Sequence, residues 1–120
     1  MLARERFKSG TNIFAQKYSR GYTMKQHFDN QTVFENPILC VTLLGDAELR
    51  MSNDAHGGQE RGFPLVPGTV YVLSGDARYK WKHGVLHDVT ATTGRIALIC
   101  RVVKEQYIES RRGQGAYFSY

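Results

Sequence analysis

The sequence predicts an all-β fold, a sandwich, barrel or jelly roll, on three observations. Apolar runs are short and closely spaced. The stretches between them are rich in glycine and small polar residues. No segment sustains the period of a long helix. With 120 residues the chain has room for one core and no second domain, and no internal repeat or central linker divides it.

Taken in order, residues 3–9 read as a short helix remnant within an N-terminal extension, residues 1–12. Strands are expected over 13–18 and 22–28, then over 38–44, where the apolar run ILCVTLL marks a buried strand. The turn LGD leads to a strand over 47–51, and SNDAHGGQERG reads as a long turn-like stretch. Between VPG and SGDA lies a strand over 69–74, followed by one over 78–85. After TATTG, the segment 95–104 is a strand that is apolar on both faces apart from two arginines. The domain proper therefore runs from 13 to 104, and 105–120, ending in ESRRGQGAYFSY, reads as a basic and aromatic tail.

The formal net charge of +5 favours a polyanionic partner. Cys40 and Cys100 both sit inside apolar runs and read as reduced, structural thiols. The N-terminus is charged from its third residue, unlike a secretory signal, and no run approaches a membrane span. The expectation is a soluble, monomeric protein of the cytoplasm or nucleus with no membrane partner.

Candidate chemistry begins at "HFD". On a strand His27 and Asp29 project to one side and Phe28 to the other, so two potential metal ligands converge. A third is found by face. In "ARYKWKHGV" the alternation places Arg78, Lys80 and Lys82 on a wet face and sends Tyr79, Trp81 and His83 inward. A buried neutral imidazole needs a partner, either a metal or a backbone carbonyl. His56 and His87 read as exposed turn residues. In "RIALICRVV", Arg95 and Arg101 share a strand face with Ala97 and Ile99. An inward pair of guanidiniums requires an anion; the alternatives are snorkelling at the strand ends or pairing with protein carboxylates. Together these residues read as two histidines and a carboxylate for non-haem iron, with cationic anchors for a small dicarboxylate.

At this point the chain resembles the AlkB-type Fe(II)- and 2-oxoglutarate-dependent dioxygenases. The resemblance covers about residues 13 to 104. It rests on the step from Tyr18 to His27, on "HFD" with the apolar strand after it, on "SGDARYKWKHG", and on the two arginines six apart. "NPILCVTLLGDAEL" is also similar to the compact AlkB-like domains of some plant-virus replicases. The resemblance implies a double-stranded β-helix. It implies His27, Asp29 and His83 as iron ligands, and Arg95 as salt-bridge partner of the distal carboxylate of 2-oxoglutarate. Arg101 would lie near the chelating end, and Tyr18 would hydrogen-bond the cosubstrate.

Three positions depart from the family pattern. Gln16 stands where an asparagine often precedes the tyrosine, Ala97 replaces an asparagine between the arginines, and Gln31 replaces an acidic residue two past Asp29. Few residues precede His27, so the lid-forming extension of larger members is expected to be missing. Trp81 reads as pocket lining that shares a face with His83, Tyr22 and Met24 read as lining near His27, and Gln31 joins them by the resemblance.

The implied reaction uses Fe(II), 2-oxoglutarate and O2 to demethylate N-alkylated nucleobases in DNA or RNA. Single strands are favoured, held by Lys17, Lys25, Arg78, Lys80, Lys82, Arg111 and Arg112. The alternatives are a hydroxylase or demethylase of protein or small-molecule substrates, and a non-catalytic jelly-roll binding module.

Overall fold

A computed structural model of the chain describes residues 10–87 and 93–108. The expected helix over 3–9 and the tail with Arg111 and Arg112 lie outside the described residues. The described residues form β1 (Thr11–Tyr18), β2 (Thr23–His27), β3 (Ile38–Leu44), β4 (Ala47–Asn53), β5 (Gln59–Leu65), β6 (Val70–Leu73), the short helix α1 (Gly75–Tyr79), β7 (Lys82–Leu86) and β8 (Arg95–Val102).

The strands make two four-stranded antiparallel sheets, ordered β1-β8-β3-β6 and β2-β7-β4-β5. The pairs are nested, first with last: β1 with β8, β2 with β7, β3 with β6 and β4 with β5. That nesting is a jelly roll, as the alternation and turn spacing led one to expect. Ile38, Leu49, Met51, Leu65, Leu73 and Val85 form the apolar core, to which both sheets contribute.

Strand β8 shows how alternation becomes burial. Arg95, Ala97 and Arg101 are buried, whereas Ile96, Leu98 and Cys100 on the other face are half-buried. Cys40 is buried, and both cysteines are free thiols.

Two elements differ from the sequence reading. Residues 78–85 are not one strand, because the chain first makes a turn of helix in which the amides of Lys80 and Trp81 both donate to the carbonyl of Asp76, at 2.8 and 3.1 Å. Regular pairing resumes at Lys82. The face assignment made from an unbroken strand therefore fails: Arg78 is 2% exposed, and Tyr79 is exposed. A five-residue helix is too short to display its period against an alternating background. The second difference is β5, which begins inside the stretch read as a turn and runs past its end. It is a sheet edge exposed everywhere but Leu65, so it carries no buried face to read, and its Gly62 and Pro64 suit an edge position.

One glycine matters for the site. A Cβ on Gly84 would lie 2.6 Å from the Met24 carbonyl oxygen and 2.9 Å from the Gln26 amide nitrogen. Its bare backbone lets β2 close against β7 where the register shifts between Met24 and His27.

Candidate active site

His27 is the last residue of β2 and pairs directly with His83 of β7. Their rings lie 4.5 Å apart between centroids, inclined at 51°. Asp29 follows two residues past the end of β2 and is buried. Its Oδ1 lies 3.4 Å from Nε2 of His27 and 3.6 Å from Nε2 of His83. One donor atom from each of the three falls within 4.8 Å of the others. Nδ1 of His27 donates to the Lys25 carbonyl at 2.7 Å, and its Nε2 faces Asp29.

Electrostatics prepare this trio for a cation. Burial pushes the Asp29 carboxyl up, but the hydrogen bond to His27 and the charges of His83, Arg101 and His27 outweigh it, leaving the group below its ordinary value. Burial holds His83 down at about 4, with His27 and Arg78 adding to the effect against the pull of Asp29. At neutral pH the site thus presents an ionised carboxylate and a neutral His83, so neither has to shed a proton to bind a metal. Two imidazoles and one carboxylate on one side of an open space fit a ferrous ion that keeps exchangeable positions.

The facing sheet brings a different chemistry. Arg95 and Arg101 are buried, 2% and 5% exposed, which removes snorkelling as the account of the pair. Arg95 stands opposite Tyr18 in the β1–β8 ladder, with its guanidinium carbon 5.4 Å from the centre of that ring. Its Nη2 donates to Thr42 Oγ1 at 3.4 Å, and its Nε has no hydrogen-bond partner among the described residues. Arg101 lies 4.0 Å over the ring of Phe34 and 5.0 Å over that of Phe14. Both arginines, Tyr18 and the three metal-type donors line one cavity of about 450 Å³, counting the space at its mouth.

The remaining sequence candidates separate. Met24 is in the cavity wall. Three residues before His27 it would point the other way in a regular strand, and the bulge between them turns both inward. Tyr22, Gln31 and Trp81 are not part of that wall. Tyr22 is exposed beside Tyr18, Gln31 reaches the Tyr79 carbonyl, and Trp81 packs against the apolar core. His87, expected in an exposed turn, is 3% exposed, with Nδ1 3.4 Å from the Ser19 carbonyl. The side chain of His56 is outside the described set.

Gln16 and Tyr71 also line the cavity and had not been singled out as lining. The signal for Gln16 was its two-residue spacing from Tyr18. Burial, then the neighbouring Cys40, pushes the Tyr71 hydroxyl well above its ordinary value.

The model of the 2OG-Fe(II) oxygenase superfamily matches residues 4–112. The chain belongs to that superfamily. Among curated relatives of this chain are the alpha-ketoglutarate-dependent dioxygenase alkB homolog 7, mitochondrial, of Bos taurus and of Mus musculus. The first is 30% identical over 103 residues, covering 79% of this chain and 46% of the relative. The second is 31% identical over 94 residues, covering 72% and 42%. An uncharacterized protein of Acanthamoeba polyphaga mimivirus is 27% identical over 73 residues, covering 61% and 35%.

These relatives bear out the AlkB resemblance, and the chain spans less than half the length of each. In fold the chain is similar to oxalate oxidase in complex with glycolate, at TM-score 0.59 and 12% identity over 78% of this chain and 42% of that one. It is also similar to an RmlC-like cupin from Desulfovibrio desulfuricans, at TM-score 0.52 and 18% identity over 81% and 76%. The cofactors that go with superfamily membership are Fe(II), 2-oxoglutarate and O2, and the His27, Asp29 and His83 cluster suits the metal among them. No helix among the described residues is long and apolar enough to cross a membrane.

Proposed function

We propose that residues 13–104 form a dioxygenase domain in which His27, Asp29 and His83 hold Fe(II), while Arg95, Arg101 and Tyr18 hold 2-oxoglutarate. The substrate in this reading is an N-alkylated base in single-stranded DNA or RNA. The observation that carries it is a single cavity with three metal-type donors within 4.8 Å on one wall and two buried guanidiniums on the other.

When bound, iron with 2-oxoglutarate and O2 supplies oxidation of a substrate C–H bond, with the cosubstrate leaving as succinate and carbon dioxide. The chain's own part is to bind, orient and exclude water. The Arg95 guanidinium, already desolvated and with an Nε available, takes the distal carboxylate, and the Tyr18 hydroxyl donates to the same molecule. Arg101, held between two aromatic rings, places positive charge beside the end of the cosubstrate that faces Asp29. The ionised Asp29 and neutral His83 accept the metal without a proton to move. If the oxidised carbon is an N-methyl group, the hydroxymethyl product falls apart to formaldehyde and an N–H.

For nucleic acid, the net charge and the exposed Lys17, Arg20 and Lys25 support binding to phosphates. A second reading, oxidation of a protein or small-molecule substrate, is favoured by a specific correction. Of the basic face expected from the sequence, Arg78 is buried, and Lys82 is 3.2 Å from Asp54. The test is turnover with Fe(II) and 2-oxoglutarate on methylated single-stranded oligonucleotides, free methylated nucleosides and methylated peptides, with mass detection of the product. Demethylated oligonucleotide with salt-sensitive binding supports the proposal. Turnover confined to peptides or small molecules moves the assignment to the second reading. Binding of 2-oxoglutarate with no succinate from any substrate reduces the domain to a binding module.

A further inference from the structure

Arg78 sits in α1 with its guanidinium turned toward the segment 29–34. Nη1 donates to the Asp29 carbonyl at 3.1 Å, and Nη2 donates to the carbonyls of Asn30 at 3.1 Å and Phe34 at 3.4 Å. No carboxylate lies within ion-pair distance of it among the described residues. A buried cation without a counter-charge is costly, and here three carbonyl dipoles converge on it instead.

Those carbonyls belong to the loop that carries Asp29. This residue lies beyond the end of β2, so no strand ladder sets its direction. The far end of the loop is well tied. Asn30 Oδ1 accepts from the amides of Thr32 and Val33, both at 2.9 Å. The Glu35 amide donates to Val102 and the Lys104 amide to Val33, both at 2.7 Å, and the Phe34 ring lies under Arg101. At the near end, the donor recorded for the Asp29 carbonyl is Arg78.

We propose that Arg78 is a positioning residue. By gripping the carbonyls of Asp29, Asn30 and Phe34 it aims the Asp29 carboxylate at His27 and His83, and it joins that loop end to the Phe34 ring that supports Arg101. The inference rests on the reading of Asp29 as a metal ligand. A planar fork that reaches three carbonyls is what a lysine cannot reproduce, since its single ammonium is a point donor on a flexible stem.

The experiment titrates Mn(II) alone into the apoprotein and follows the free ion by electron paramagnetic resonance. Arg78→Lys should weaken Mn(II) binding by about 10–100-fold, and Asp29→Ala should remove it. Leu65→Ala, which opens the apolar core away from the donors, is the control for destabilisation. It should lower the melting temperature and leave Mn(II) affinity unchanged.

Wild-type affinity in Arg78→Lys, or an equal loss in Leu65→Ala, overturns the inference while leaving the metal site standing. Failure of the wild type to bind Mn(II), or normal binding by Asp29→Ala, overturns the metal reading and the inference with it. Should Arg78→Lys not fold, Arg78→Gln, which keeps neutral donors at that place, is titrated with Mn(II) in its stead: weakened binding supports the role, and wild-type affinity overturns it.

Discussion

The two sheets contribute opposite kinds of chemistry to one cavity. The β2-β7-β4-β5 sheet supplies His27 and His83, with Asp29 just past the end of β2. The β1-β8-β3-β6 sheet supplies Tyr18, Arg95 and Arg101. Burial acts on the two sets differently. It strips the proton from a histidine and so makes a metal ligand of it. An arginine cannot be neutralised that way, and burial only raises its demand for an anion. On the proposed reading, the same dry cavity offers one wall to a cation and the other to a dianion.

The comparison breaks most completely if His27→Ala, a change confined to the donor wall, leaves the metal in place. The expected outcome is loss of stoichiometric iron and of succinate production with the circular dichroism of the strands retained, because a ligand at a cavity wall contributes little packing. On the opposite wall, Arg95→Met should raise the 2-oxoglutarate requirement roughly thirtyfold to several-thousandfold, the equivalent of losing a buried charge pair worth about 2–5 kcal/mol. Mn(II) affinity measured without cosubstrate should not change in this variant. A loss in both would show that the two walls are not separable.

The walls should also differ in acid. His83 has its folded value near 4, below the ordinary 6.5 of the unfolded chain. The unfolded state therefore binds the extra proton between those values, and metal-free stability is full above pH 6.5 and falls as the pH drops toward 4. The Asp29 carboxyl, held below its ordinary value, adds a loss in the same direction at the acid end. The His83 contribution is on the order of 3 kcal/mol. Urea midpoints of the apoprotein from pH 7 to 4.5 measure it, and His83→Gln should flatten the slope where Arg95→Met does not. The smallest expected effect is that of Gly84→Ala, about 1–3 kcal/mol in the melting of the apoprotein, from a methyl driven against the β2 backbone. Iron affinity should fall with it, as the His27–His83 pair is pushed apart.

How far the sequence disclosed these walls depended on how regular each strand is. Strand β8 is unbroken, so a six-residue step correctly placed Arg95 and Arg101 on one inward face. Alternation also found β1, β3 and β6. It failed where regularity failed. The sequence reading reached His83 through an assumed continuous strand, yet Gly75–Tyr79 is a short helix and pairing begins only at Lys82. Two neighbours were therefore misassigned: Arg78, read as wet, is buried, and Tyr79, read as inward, is exposed. Met24 reached the cavity through a bulge that no parity rule anticipates. Edge strand β5 was hidden because an exposed strand has no apolar face. Gln16 and Tyr71 were visible in spacing alone, but a polar residue on a strand face declares no role until the opposing sheet is in place.

The nested pairing of strands has a consequence in time. Closing β4 onto β5 joins residues as near as Asn53 and Gln59, whereas closing β1 onto β8 joins Thr11 to Val102. Loop-closure entropy grows outward through the nest, and the two pairs that carry the histidines and the arginines are its outermost rings. Assembly is expected to run from the β4–β5 hairpin outward, with the histidine pair forming in the β2–β7 ring before the arginines are seated by β1–β8. Partial opening should run in reverse. If the proposed roles hold, a chain whose ends have come apart loses its grip on the dicarboxylate first and keeps the paired histidines, so exchange of the two cofactors need not share one rate.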